Sequence, residues 1–237
     1  MSEVRDMTIE EARELVSNRL LWPLVRDFLW DFAPLIHASW LDGLPTSDFG
    51  HDFAKSEVRS PKASSRVKRY ILDSLGVKPC FHAFPADDGS RILLLDGATL
   101  ESVAKWLGAL ACADAMRRVT DGATVRELKA ALPGVYPEVF GYTAYFKGME
   151  ETCGFVVRWL DDAEVDVKLN GDLVVNVGYL LLNKAVSHLP EPLLNRLRLK
   201  QPARPAARLP DHLTTKTQNL QLLLKLRFPE AYKLCCS

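Results

Sequence analysis

The sequence predicts a mainly α fold: a compact helical domain with a minor β-hairpin and a C-terminal helical extension. In the segment 99–146, apolar residues recur at the spacing of one helix face; these are Leu100, Val103, Leu107, Leu110 and Ala111. Gly122 and the Pro133-Gly134 pair interrupt the pattern and indicate the ends of helices. With 48% hydrophobic residues among 237, the chain can bury a sizeable core.

The domain organisation follows from the distribution of prolines. Three prolines without helical periodicity indicate a linker in the stretch 201–211. We therefore expect a helical domain over 1–200, this proline-rich linker, and a C-terminal helical extension over 212–237 that packs on the domain. Two short β-prone segments, CFHAF at 80–84 and RILLLD at 91–96, are joined by PADDG and predict a small hairpin near 80–96.

Helix starts are predicted from capping patterns. Thr8 with Glu11 and Thr124 with Glu127 are each typical of a capping box. Further helices are expected to begin at Trp22-Pro23 and at Ser60-Pro61 and to cover about 150–161, about 190–199 and most of the C-terminal extension. Over 33–60 we expect a long loop with short helical pieces that pack on the core.

The segment 165–177 allows two interpretations. Val165, Val167 and Leu169 alternate before Asn170-Gly171, as in a β-hairpin. However, apolar residues after this turn also fit one helical face; these are Leu173, Val177, Leu180, Leu181 and Ala185. We favour a helix from Asp172 to His188.

No sequence motif predicts catalysis or a cofactor. Three histidines have aspartates nearby in sequence, but their spacing is not that of a metal site; they are His37, His51 and His82. Glycine-rich phosphate loops and nucleophile motifs are absent from the sequence. The five cysteines are scattered, which favours a reducing compartment. The adjacent Cys235 and Cys236 favour helix packing, with a redox or metal site as the alternative.

Charge is distributed unevenly although the net charge is zero. Residues 1–60 carry a net charge of −5, and residues 196–237 carry +7. We expect the basic stretch to contact an acidic protein surface, with a solvated linker as the alternative. Its residues are the first interface candidates: Arg196, Arg198, Lys200, Arg204 and Arg208.

A second set of residues is assigned within the segment 99–146. Arg117 and Arg118 are further interface candidates, with capping of a helix C-terminus as the simpler role. Aromatic and leucine residues around them are expected to be core rather than a binding strip; they are Trp106, Leu107, Leu110, Tyr136, Phe140 and Phe146.

Three parts of the sequence resemble the SctK family (YscK, PscK) of the bacterial type III secretion sorting platform. They are WLGAL with the following arginine pair and YPEVFGYTAYF, then FAPLIHASWL, and finally LLKLRFPEAYKLCCS at the end of the chain. The resemblance implies a non-enzymatic adaptor, without a cofactor, that joins the forkhead-associated-like cytoplasmic domain of the inner-ring protein (SctD) to the pod protein (SctQ). Through the pod it would reach SctL and the SctN ATPase indirectly.

The resemblance also implies a location in the cytoplasm, at the base of the injectisome beside the inner membrane. The sequence agrees, since it shows no apolar run of the ~20 residues that cross a bilayer and no signal-peptide pattern at its acidic start. We therefore expect neither membrane insertion nor nucleic-acid binding. The alternatives are a nucleic-acid adaptor that uses the basic tail and a small-molecule hydrolase built around the front histidines.

Overall fold

The computed structural model contains helices and no strands in the residues that it describes, which are 16–42, 65–77, 90–146, 149–162, 167–203 and 217–236 together with Glu10, Arg13 and Leu44. The mainly α prediction is confirmed. In chain order the α-helices are α1 (Leu21–Leu29), α2 (Ala38–Leu41), α3 (Ser65–Ser74), α4 (Gly97–Ala111), α5 (Ala113–Arg118), α6 (Gly122–Ala131), α7 (Val135–Tyr142), α8 (Glu150–Asp161), α9 (Gly171–Ala185), α10 (Glu191–Lys200), α11 (Thr217–Arg227) and α12 (Pro229–Cys236). Short 3-10 helices cover Ala33–Leu35, Ser90–Leu94 and Thr143–Tyr145.

The chain divides into two compact units. The first contains residues 1–97 and 188–204 with Ser237, and the second contains residues 98–187 and 205–236. In the first unit, α1 packs on the 3-10 helix Ser90–Leu94 and α3 packs on the 3-10 helix Ala33–Leu35. In the second, α5 packs on α8, α6 on α7 and α9, and α11 on α9 and α12. The predicted division into a domain, a linker and an extension stays a prediction.

The predicted β-hairpin is not supported. The segment expected as its second strand, RILLLD at 91–96, instead lies mostly in the 3-10 helix Ser90–Leu94. The segment expected as its first strand, at 80–84, lies outside the described residues. The reason is burial on all sides, since the four residues from Ile92 to Leu95 are all buried, whereas a strand of a small exposed hairpin would bury alternate residues. The carbonyl groups of Leu93 and Leu95 accept hydrogen bonds from a side chain of α10 instead of from a neighbouring strand.

The favoured helix after Asn170 is confirmed, and the alternative hairpin is wrong. Asn170 has extended backbone angles and its side-chain oxygen accepts a hydrogen bond from the backbone NH of Leu173 at 2.8 Å, so it is the N-cap of α9. The Asn-Gly pair thus starts a helix here.

The cap of α6 lies three residues before the expected one. Asp121 rather than Thr124 is the N-cap, because the carboxylate of Asp121 accepts hydrogen bonds from the backbone NH and the hydroxyl of Thr124.

Small residues allow close contact between helices in the second unit. The backbones of α4 and α9 meet at Gly108 and Gly178, and α9 begins against Ala131 of α6 at Gly171. All three glycines are buried.

Within the described ranges, no helix combines the length and the apolar composition needed to cross a membrane.

Candidate interaction surfaces

The basic stretch of α10 is partly a structural element of the first unit. Arg196 is only 3% exposed, and its guanidinium donates to the carbonyl oxygens of Phe28 at 3.1 Å and Leu29 at 3.2 Å. These carbonyls belong to the last turn of α1, where no further helical NH groups can bond to them. A cation at this end also interacts favourably with the helix dipole. Arg196 therefore fixes α1 to α10.

Lys200 acts in the same way one turn further along α10. It is 3% exposed, and its ammonium group donates to the carbonyl oxygens of Leu93, at 2.8 Å, and Leu95. The ring of Phe28 lies 5.5 Å from its nitrogen atom. Contrary to our expectation, Arg196 and Lys200 are thus not available as surface charges for a partner.

The other members of the stretch differ. Arg198 is exposed and forms an ion pair of 2.8 Å with Glu191 on the same helix. Arg204 and Arg208 lie outside the described residues. The stretch therefore does not form one continuous charged surface over its described part, because a helix turns residues two positions apart to different sides.

Arg117 and Arg118 lie beside a cleft between α5 and α8 in the second unit. The cleft has a volume of about 400 Å³ and is lined by Asp114, Arg117, Arg118, Gly154, Val157 and Arg158. Arg117 is held by an ion pair of 2.7 Å to Asp114 and by hydrogen bonds to the hydroxyl of Thr143 and the carbonyl of Phe140. Its guanidinium also lies 5.4 Å from the centre of the Phe140 ring.

Arg158 was not among the residues singled out from the sequence. It is exposed on α8, and no ion pair or hydrogen bond joins its side chain to another described residue. Only the packing of α5 on α8 brings it beside Arg117 and Arg118. The sequence shows that α8 carries an arginine between apolar positions, but not which helix lies opposite.

A further arginine, Arg227, lies over Trp106, which is buried as expected. The guanidinium of Arg227 lies 4.4 Å from the centre of the Trp106 ring and 5.3 Å from that of Tyr142. It also pairs with Glu138 at 2.7 Å. Arg227 thus joins α11 to α4 and α7 through one side chain.

The remaining core candidates divide into two groups. Leu107, Leu110 and Phe146 are buried. Tyr136 and Phe140 are half-buried and contact each other edge to face, with ring centres 5.5 Å apart. The buried residues of α7 are instead its smaller apolar residues, Val135 and Val139.

The residues considered for chemistry do not form a cluster where they are described. His37 caps α2, because its Nδ1 atom accepts from the backbone NH of Ser39; His51 and His82 lie outside the described residues. Burial raises the pKa of the Cys112 thiol, and nearby Cys153 adds to the effect, so this thiol stays protonated and unreactive. Cys235 is buried. Among the described residues, no three His, Cys, Asp or Glu side chains are placed to bind a metal ion.

Comparison with known proteins gives one family match. The model of the family described as YOP proteins translocation protein K (YscK) matches residues 31–136, somewhat less than half of the chain. The matched range includes FAPLIHASWL and WLGAL with the following arginine pair, and it ends at the first residue of YPEVFGYTAYF. No curated protein and no solved structure matches the chain. The predicted resemblance is thus confirmed over this range.

Proposed function

Because residues 31–136 match the YscK family model, we propose that the chain is a type III secretion protein and a non-enzymatic adaptor of the sorting platform. In this role it links the cytoplasmic domain of the inner-ring protein SctD to the pod protein SctQ. The family match over residues 31–136 is the observation that carries the proposal. Its location would then be the cytoplasmic side of the inner membrane at the base of the injectisome.

An exposed apolar surface in the first unit supports an adaptor role. Trp30 is 52% exposed at the end of α1, and its ring lies 5.7 Å from that of Trp22. Leu20 and Leu24, at the start of the same helix, are exposed as well. Tryptophan is enriched among the residues that contribute most to protein interfaces, because it buries a large area with little loss of side-chain entropy.

The test is assembly from purified components. The full chain, the cytoplasmic domain of SctD and SctQ are mixed in pairs and together, and complexes are measured by size-exclusion chromatography with light scattering. We expect one complex that contains all three proteins and that does not form without this chain. If the chain binds neither protein, or if SctD and SctQ compete for binding to it, the adaptor proposal fails.

Trp30→Ala tests whether the apolar surface is one of the two contacts. It should weaken binding to one partner and leave the other unchanged, with no loss of stability, because the side chain is already exposed. Tyr145→Ala is the matched control, since Tyr145 is 63% exposed but lies in the second unit.

A further inference from the structure

The cleft between α5 and α8 is lined by three guanidinium groups that differ in how firmly intramolecular contacts hold them. Arg117 is fixed by Asp114, Thr143 and Phe140, as described above, so its orientation costs a ligand little entropy. It forms one preorganised wall of the cleft.

Arg118 has a partner that can be exchanged. Its ion pair with Asp161 on α8 is 3.3 Å long, and the two side chains are 64% and 67% exposed. Pairs of this kind contribute little because water screens both charges. A carboxylate entering the cleft could therefore replace Asp161 at small cost.

Arg158 supplies the third guanidinium and has no ion-pair partner within the described residues. Its planar fork can bond to both oxygens of a carboxylate. Val157 is buried beside it and gives the cleft an apolar portion next to the charges. The lining thus contains three cations, one carboxylate that is already paired, and an apolar contact.

We propose that this cleft binds an acidic segment of a partner protein, in which a carboxylate contacts Arg118 and Arg158 and a neighbouring apolar side chain contacts Val157. The intramolecular pairs already show the chemistry, because the cleft's arginines bind the carboxylates of Asp114 and Asp161. The identity of the partner rests on the proposed adaptor function. The binding of an acidic segment to the cleft does not depend on that function and can be measured separately.

The charge of the second unit favours a protein segment over a nucleic acid. Residues 98–187 contain nine basic and twelve acidic side chains, and residues 205–236 contain five and two, which gives fourteen of each in the unit. Nucleic-acid-binding domains instead have an excess of basic residues along one face, because they must neutralise several phosphates. The cleft is a local positive site on a neutral unit.

The experiment measures binding of a defined probe to the full chain by fluorescence anisotropy. The probe is a labelled peptide of repeated Glu-Glu-Leu, compared with the same peptide carrying Gln for Glu and with a single-stranded DNA of similar length. The wild-type chain should bind the acidic peptide in preference to both others, and its affinity should fall with added salt, which screens exposed charges.

Charge reversal identifies the cleft as the binding site. Arg118→Glu combined with Arg158→Glu should weaken peptide binding by about tenfold or more, and Arg158→Lys should weaken it less, because the charge remains but the two-pronged bond is lost. Arg126→Glu on α6 is the matched control, since Arg126 is exposed and does not line the cleft. The melting temperature should change in none of these variants.

Three results would overturn the proposal. One is an absence of peptide binding by the wild-type chain, and another is equal binding by the double variant. The third is preferential binding of the DNA with loss on the same substitutions, which would make the cleft a nucleic-acid site. Each differs from failure of the adaptor proposal, which is judged with SctD and SctQ and not with peptides.

Discussion

Gly108 of α4 and Gly178 of α9 let the two helices touch through their backbones. A Cβ atom at Gly108 would lie 1.8 Å from the carbonyl oxygen of Val174, and one at Gly178 would lie 1.8 Å from that of Ala104. Real Cβ atoms do not approach an oxygen so closely, so any side chain at either position must push the helices apart. The pair therefore sets the distance between α4 and α9.

Gly108→Ala and Gly178→Ala should each destabilise the protein by ~2 kcal/mol or more, since overpacking in a rigid core costs ~1–3 kcal/mol and occasionally more. Urea unfolding followed by circular dichroism measures the effect. Gly141→Ala in α7 is the control, because a Cβ there meets no atom within 4 Å, and alanine should be neutral or stabilising in a helix. Equal stability of all three variants would mean that α4 and α9 do not cross at these glycines.

Trp106→Ala should cost ~3–5 kcal/mol, because it removes a large buried ring. Part of this energy should be shared with Arg227, whose guanidinium lies over the ring. A double-mutant cycle with Trp106→Ala and Arg227→Met should give a coupling energy of ~0.5–2 kcal/mol. A Trp106→Ala protein that melts like the wild type would show that the ring is not part of the core.

Arg196→Met should destabilise the first unit by ~1–3 kcal/mol, since it leaves the carbonyl groups of Phe28 and Leu29 without their buried donor. Arg198→Met, two positions away on α10, is the matched control. Its ion pair with Glu191 is exposed, and such substitutions usually change stability by less than ~0.5 kcal/mol. If the two variants were equally stable, Arg196 would not act as a buried clamp.

Local patterns in the sequence predicted the helices better than the roles of charged residues. The helix over Gly171–Ala185 could be anticipated because its apolar residues share one face and Asn170 can cap it. The 3-10 helix at Ser90–Leu94 could not, because a short run of buried leucines fits a strand or a helix turn equally well. The structure distinguishes the two, because the residues from Ile92 to Leu95 are all buried and the carbonyl groups of Leu93 and Leu95 bond to Lys200.

The sequence does not show which of the charged residues are exposed and which are buried. Arg196, Arg198 and Lys200 look alike in the sequence, yet two are buried against carbonyl groups and one is exposed. Burial of a cation depends on which backbone groups another segment places beside it, and the basic stretch contains no sign of them. Arg158 was missed for the same reason, since its role depends on the position of α5.

The most direct test of the adaptor account is the position of the pod protein in bacteria that lack this chain. SctQ and SctD carry different fluorescent labels, and their membrane foci are counted in the wild-type strain, the deletion strain and a complemented strain. The account predicts that SctD foci persist after deletion, while SctQ foci at the rings and protein export are lost and return on complementation. SctQ foci that remain at the rings with normal export in the deletion strain would contradict it.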